Sequence, residues 1–405
     1  MPKMQSVALG IWIKVGGRYE IPENKGTSHF LEHILFKGSK NYTCRRLKES
    51  IEGVGGSFNG FTSEELTCYL AKIPSRYLDI AINVLSDMII YPALPEYEIE
   101  KEKTVIIEEI KMYKDQPQTY CLELLDELLW PNQPLGSAII GTVESVNNIK
   151  RENLASFKEK YYTASNMVLS VAGLFNFGRL SNRISRIFSG LKTKGPNIFE
   201  FARQVQDKPQ LKVFPKDTEQ THLALGFHAL KRDDPLKHAL AIMHIILGGN
   251  MSSRLFNELR EKRGLAYEIG TGVKRFYDTG AFFVHAGIDN GKVAEAITLI
   301  LKELRRIREG LVTEDEFKRA KKFYRGQMML ALEDTLDSML WIGESTAALD
   351  KAYRLEDLIK EINMVRREDI RQVARRIFGE DKVNLALIGP IKDKEEAISR
   401  LLTLG

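Results

Sequence analysis

Residues 5–15 carry the alternation of a strand, and residues 57–73 read as two more strands joined near Ser63-Glu64-Glu65. Pro74 then opens a helix whose apolar positions, Leu78, Ala81, Ile82, Leu85 and Ile89, recur at helical spacing. Leu94-Pro95-Glu96 starts a long helix over 95–115, and another covers 117–130, broken at Trp130-Pro131. Residues 166–173 predict a final strand. Strands in hairpin-like order with helices grouped apart from them favour an α+β fold, an antiparallel sheet packed with helices.

The same order of elements occurs twice. Val7-Ala8-Leu9-Gly10 matches Leu223-Ala224-Leu225-Gly226, an offset of 216 that carries Gly10 to Gly226. The same offset aligns Ile149-Lys150-Arg151-Glu152-Asn153-Leu154 with Val365-Arg366-Arg367-Glu368-Asp369-Ile370, and Leu169-Ser170-Val171-Ala172-Gly173 with Leu385-Ala386-Leu387-Ile388-Gly389. The helix opened by Leu94-Pro95-Glu96 has a counterpart opened by Val312-Thr313-Glu314. One long repeat with drifting gaps indicates two homologous domains and not a short-period solenoid. The expected division is 1–187 and 212–405, joined by a linker over 188–211 marked by Gly190, Gly195, Pro196 and Pro209.

Composition narrows the class. The 405 residues are 43% hydrophobic and 28% charged, as in a globular protein. The 59 basic and 54 acidic residues leave a net charge of only +5, with no basic run carrying interleaved aromatics, so nucleic acid is not an expected partner. No apolar run reaches the ~18 residues of a membrane span, and Met1-Pro2-Lys3-Met4-Gln5 has no apolar signal core. Cys44, Cys68 and Cys121 are sparse and odd in number, which reads as reduced thiols in a cytoplasmic setting.

The chemistry begins at His29-Phe30-Leu31-Glu32-His33. This H-x-x-E-H string reverses the H-E-x-x-H zinc motif. On a helix His29, Glu32 and His33 share one face. Two imidazoles one turn apart can hold a zinc ion, and a carboxylate between them can take a proton. Thr27 and Ser28 are the expected N-cap, and Gly38 closes the segment. The same five residues would also suit an ordinary solvated helix.

A site that does chemistry needs a third protein ligand. On the helix after Pro95, Glu102 and Glu109 lie two turns apart on one face, with Val105 and Ile106 between them, while Glu108 points elsewhere. That face is expected to turn inward, although a solvated acidic face is the plainer reading of Glu102 and Glu109. The repeat acts as a control. Leu240, Met243 and His244 stand where the first half has His29, Glu32 and His33, and Ala320 and Gln327 stand where it has Glu102 and Glu109. The second half keeps the scaffold without the ligand set, which favours function over folding as its reason.

His29-x-x-Glu32-His33 with a glutamate 76 positions on, from 33 to 109, resembles the inverted-zinc (inverzincin) peptidases of the pitrilysin and mitochondrial processing peptidase group. Gly26 to Gly38, Leu247 to Phe256 and Leu259-Arg260-Glu261-Lys262-Arg263-Gly264-Leu265-Ala266-Tyr267 are all similar to that family, and the resemblance runs nearly end to end. The length matches its short members, similar to processing peptidase subunits. The resemblance implies one Zn²⁺ per chain on His29, His33 and Glu109, with Glu32 as general base and Glu102 as supporting carboxylate. It implies that Arg260 and Tyr267 of the second domain face the substrate carbonyl; by pattern alone Tyr267 reads as a core aromatic. It also implies an extended peptide substrate lying along Ser57, Phe58, Asn59, Gly60, Phe61 and Thr62, and a homodimer, or a heterodimer, that rebuilds a four-domain chamber. Gly55-Gly56 serves either a close backbone approach or a helix C-cap.

The family usually carries an extra strand before the one near Ser6; here either that strand is absent or the given chain is shortened at its start. Two other readings compete with the peptidase. One is a zinc lyase of the S-ribosylhomocysteine type, which shares the motif but is a single small domain. The other is a non-catalytic partner subunit, a class that tends to lose the ligands that this chain keeps.

Overall fold

The computed structural model describes residues 1, 3–193, 199–391 and 394–402. The first half runs β1 (Ser6–Ile13), α1 (Thr27–Leu35), α2 (Cys44–Glu52), β2 (Ser57–Thr62), β3 (Thr67–Pro74), α3 (Leu78–Ile90), α4 (Glu96–Asp115), α5 (Pro117–Leu129), α6 (Val143–Asn148), α7 (Arg151–Tyr161), β4 (Met167–Gly173) and α8 (Phe177–Phe188). The second runs β5 (Gln210–Pro215), β6 (Gln220–Ala229), α9 (Lys237–Leu247), β7 (Ala266–Arg275), β8 (Gly280–Asp289), α10 (Val293–Glu309), α11 (Glu314–Ala331), α12 (Thr335–Leu349), α13 (Leu355–Met364), α14 (Arg367–Ile377), β9 (Asn384–Gly389) and α15 (Glu395–Ser399). The strands and helices expected in the first half all form, within a few residues of the expected limits. Within the 188–211 linker, Gly195 and Pro196 lie outside the described residues.

The first sheet has the order β2-β3-β1-β4 and is antiparallel throughout. The second has the order β5-β9-β6-β8-β7. Read from its other edge, β7-β8-β6-β9 repeats the first sheet strand for strand, as the duplication requires. The expectation of a purely antiparallel sheet fails at one pair, since β5 runs parallel to β9 and makes the second sheet mixed. No hairpin links those two strands, so no turn imposes the antiparallel direction. β5 has no counterpart among the described residues of the first sheet.

The two compact units are not two continuous stretches. Residues 112–137, which hold α5, group with the second half, and residues 329–353, which hold α12, group with the first. The reason is apolar. Met339 and Ala347 of α12 join Ala8, Trp12, Leu66, Cys68, Leu70 and Ala172 in one buried cluster. Cys121, Leu124, Leu125 and Leu129 of α5 join Ala224, Ala281, Ala386 and Ile388 in another. The α12 contact explains why β1 is buried from Val7 to Ile13 instead of alternating. Leu9, Ile11 and Ile13 face one way, paired with Ala71, Tyr69 and Thr67, while Ala8 and Trp12 face α12. Trp12 is satisfied there, its Nε1 donating to Ser170 Oγ at 2.8 Å.

In the second unit Arg254 forms a two-pronged ion pair with Glu316, Nε to Oε1 at 2.8 Å and Nη2 to Oε2 at 2.9 Å. This accounts for the arginine in the Leu247–Phe256 string: it ties the turn after α9 to the start of α11.

Candidate metal centre

α1 does not begin as its sequence suggests. Thr27 and Ser28 are inside the helix, and the N-cap is Gly26 at φ +90°, which has no side chain to cap with. The cap comes from outside the helix. Glu20 accepts from the backbone N–H of Gly26 at 2.8 Å and of Ser28 at 2.6 Å, one with each oxygen. A carboxylate at a helix N-terminus satisfies its free donors and favours the dipole. Burial pushes the Glu20 carboxyl up to about 7, against the hydrogen bonds from Ser28 and Gly26 and the nearby charge of Lys25. A raised carboxyl binds its proton more tightly in the folded chain than in the unfolded one. Its stabilising contribution is therefore complete below its ordinary value of 4.5 and is lost as pH rises through about 7. Thermal unfolding followed at pH 5 and pH 8 should show a larger loss of stability in the wild type than in Glu20→Gln, which cannot titrate.

The helix presents its motif as the spacing requires. The ring centroids of His29 and His33 are 4.5 Å apart. His29 Nε2 lies 3.8 Å and His33 Nε2 3.5 Å from the same oxygen, Glu109 Oε2, carried by α4. One potential ligand atom from each of the three lies within 4.8 Å of the others. On the far side of the His33 ring, Nδ1 lies 3.0 Å from Glu102 Oε1. Glu102 Oε2 in turn pairs with Lys37 Nζ at 2.5 Å. A carboxylate only accepts, so His33 Nδ1 is the donor, and in the neutral ring Nε2 then carries the lone pair. α4 turns Ile99, Glu102, Ile106 and Ile110 inward. Val105, expected on that inward face, is instead 45% exposed. It lies three residues from Glu102, but on the side of the stripe away from Ile99 and Ile106.

The donor set fits a cation. Two imidazole nitrogens and a carboxylate oxygen face one space, at separations too long for hydrogen bonds. With both rings neutral, their lone pairs there are satisfied only by a cation between them. His29 Nδ1 is buried with no hydrogen-bond partner among the described residues. Burial, and then the neighbouring His33, push the His29 imidazole down to about 3, which keeps it neutral as a ligand must be. His33 is also desolvated, but its bond to Glu102 and the charges of Glu109 and Glu32 outweigh this and raise it. Burial raises Glu109, with Glu102 adding and His33 opposing. Burial opposes the ionised form of Glu102, yet His33 and Lys37 hold it below the usual carboxylate range.

Glu32 stands beside this cluster, 9% exposed, and Thr62 Oγ1 donates to its Oε2 at 2.6 Å. Burial raises its carboxyl and the Glu109 charge adds to the shift, against Thr62 and His33. Such a shift suits a group that must accept and return a proton. Thr62 belongs to β2, an edge strand whose residues alternate between exposed and half-buried. All six residues Ser57, Phe58, Asn59, Gly60, Phe61 and Thr62 thus lie along an open edge that passes Glu32. At Gly60 a Cβ would sit 3.0 Å from Glu32 Cγ and 3.1 Å from the Phe36 ring, so a larger residue would push on the Glu32 side chain. The role of Thr62 as partner of Glu32 had no signal in the sequence. Gly55-Gly56 proves to be a helix end: Gly55, at φ +79°, donates to Glu52 O and Gly56 donates to Ile51 O, the paired bonds of a left-handed C-cap on α2.

Arg260 and Tyr267 belong to the second unit. Arg260 lies in a π-helical turn, Phe256–Glu261, with its guanidinium 5.1 Å from the centre of the Tyr267 ring. Tyr267 is 75% exposed, not the core aromatic that pattern alone indicates. The pairing of β7 with β8 slips between Ala266 and Glu268, leaving Tyr267 as the extra residue of a bulge. The bulge turns the tyrosine outward while Leu265 and Ala266 enter the core. In the same unit Leu240 and Met243 are fully buried and Gln327 is exposed, so the ligand positions of the first unit have become packing and surface.

Known proteins are similar to this chain along most of its length. Residues 1–143 match the family model described as Insulinase (Peptidase family M16), and residues 148–324 match the one described as Peptidase M16 inactive domain. A Bacillus subtilis protein named uncharacterized zinc protease YmxG is 35% identical over 96% of this chain and 94% of its own length. The chain belongs to peptidase family M16. A zinc protease of Streptomyces coelicolor is 34% identical over 98% of this chain and 87% of its own. Two solved structures share the fold: a protease from Helicobacter pylori, with a TM-score of 0.89 at 22% identity over 96% of this chain and 95% of that one, and a peptidase M16 inactive domain from Pseudomonas fluorescens, with a TM-score of 0.89 at 20% identity over 96% and 94%. Among the described residues, no helix of this M16 chain is long and apolar enough to cross a membrane.

Proposed function

We propose that this chain is a zinc-dependent endopeptidase that cleaves extended peptides. The observation that carries the reading is the convergence of His29 Nε2, His33 Nε2 and Glu109 Oε2 beside the buried Glu32. His29, His33 and Glu109 would hold the ion, and zinc bound there would polarise the scissile carbonyl and lower the pKa of the attacking water. Glu32 accepts the proton of the attacking water and returns it to the departing amine. Thr62 keeps the Glu32 carboxyl aimed, and Glu102 holds the His33 ring with Nε2 toward the ligands. The peptide adds as a further strand to the open edge of β2, its backbone paired and its side chains alternating. A quenched-fluorescence peptide should be cleaved, cleavage should stop with a chelator, and zinc should restore it. Cleavage that persists with a chelator would overturn the proposal.

Arg260 and Tyr267 supply donors for the charge that develops on the carbonyl oxygen. Two copies of the chain form a closed pair, the commonest assembly in general, in which the Arg260 and Tyr267 of one copy serve the ligand set of the other. Mixing Glu32→Gln chains with Tyr267→Phe chains, each inactive alone, should then restore part of the activity. No recovery, with exchange of subunits confirmed, would mean that each chain works by itself.

A further inference from the structure

Lys37 is assigned no role by the family resemblance, and the geometry points to one. We infer that Lys37 is a positioning residue for the metal centre: it holds Glu102 in place, and through Glu102 fixes the His33 ring for ligation. The inference rests on the zinc reading above. Its first support is the chain of contacts, in which Lys37 Nζ lies 2.5 Å from Glu102 Oε2 and Glu102 Oε1 lies 3.0 Å from His33 Nδ1. The Glu102 side chain is only 4% exposed, so its charge depends on these two partners.

The second support is the place of the pair. Glu32, Glu102 and Glu109 bring three carboxylates together, and Lys37 is the ammonium set against the most buried of them, Glu102.

The third support is the anchoring of the residue. Lys37 follows the last turn of α1, where its N–H bonds Ile34 O at 3.0 Å. The loop beyond it is pinned by Asp87 of α3, which accepts from Ser39 Oγ at 2.5 Å and from Asn41 Nδ2 at 2.6 Å. The ammonium is therefore presented from a fixed backbone.

The repeat supplies the fourth. On the register that sets His33 against His244 Lys37 falls on Gly248, and on the later register that sets Glu109 against Gln327 Glu102 falls on Ala320. His244 remains, but its Nδ1 lies 2.7 Å from Thr271 Oγ1 and has no carboxylate. Lysine, glutamate and ligand set are absent together from a half that still folds, so Lys37 goes with the metal centre and not with the scaffold.

The test uses the full-length chain. Zinc affinity is measured by chelator competition, and the geometry of the centre by the absorption bands of the cobalt(II) form. Losing a direct partner of a ligand costs about 10–100-fold in affinity, and Lys37→Met, one contact further out, should weaken zinc toward the low end of that range. It should also shift the cobalt bands, and Lys37→Arg should restore most of both. Lys37→Met in a Glu102→Gln background should add little, because the lysine acts through Glu102. Wild-type affinity and bands in Lys37→Met would overturn the inference, as would a purely thermal destabilisation with unchanged affinity. Failure of the wild type itself to bind zinc would instead overturn the reading beneath it.

Discussion

Glu32→Gln should bind zinc as the wild type does and lose peptide cleavage by about 10²–10⁴-fold, the contribution typical of a positioned general base. The amide matches the carboxylate in shape, so the close passage of Gly60 over the Glu32 side chain survives. Its carbonyl oxygen can still accept from the Thr62 hydroxyl. What it cannot do is take a proton. The loss should fall on kcat, because the β2 edge that holds the peptide is untouched. Steady-state kinetics with a metal assay on the same sample separate the two effects. Substantial turnover in Glu32→Gln would remove the general base from the mechanism.

His33→Ala should fail on both counts. The change deletes one of three ligand atoms and also leaves Glu102 Oε1 facing an empty space instead of the ring nitrogen 3.0 Å away. Losing only an outer partner of a ligand costs about 10–100-fold in affinity, and losing the ligand itself should cost more. Cleavage should disappear with the metal and should not return on adding zinc in modest excess. The fold should survive, since the His33 side chain is 22% exposed and belongs to no buried apolar cluster described above. Circular dichroism distinguishes this outcome from unfolding. His33→Ala protein that retains tight zinc binding would contradict the ligand assignment.

The sequence made the centre legible because a turn of helix fixes spacing. His29, Glu32 and His33 had to share a face, as did Glu102 and Glu109, whatever surrounded them. The repeat made the sheet order legible for the same reason: matching segments at one offset became matching strands, β1 with β6 and β4 with β9. What stayed hidden depended on partners distant in the chain. Periodicity shows that α5 and α12 each have an apolar face but not which sheet that face meets, so their exchange between units could not be read. The cap of α1 comes from Glu20, outside the local pattern of Ser, Thr, Asp or Asn that signals a helix start. Tyr267 was hidden by a bulge, which shifts one side chain without leaving a mark in the alternation.

The most direct test of the account is the zinc content of the purified chain after reconstitution and removal of loose metal, measured by elemental analysis. One zinc per chain is the expected result, held by His29, His33 and Glu109 of the first half. No bound zinc would contradict the centre itself, and two per chain would contradict the asymmetry between its halves.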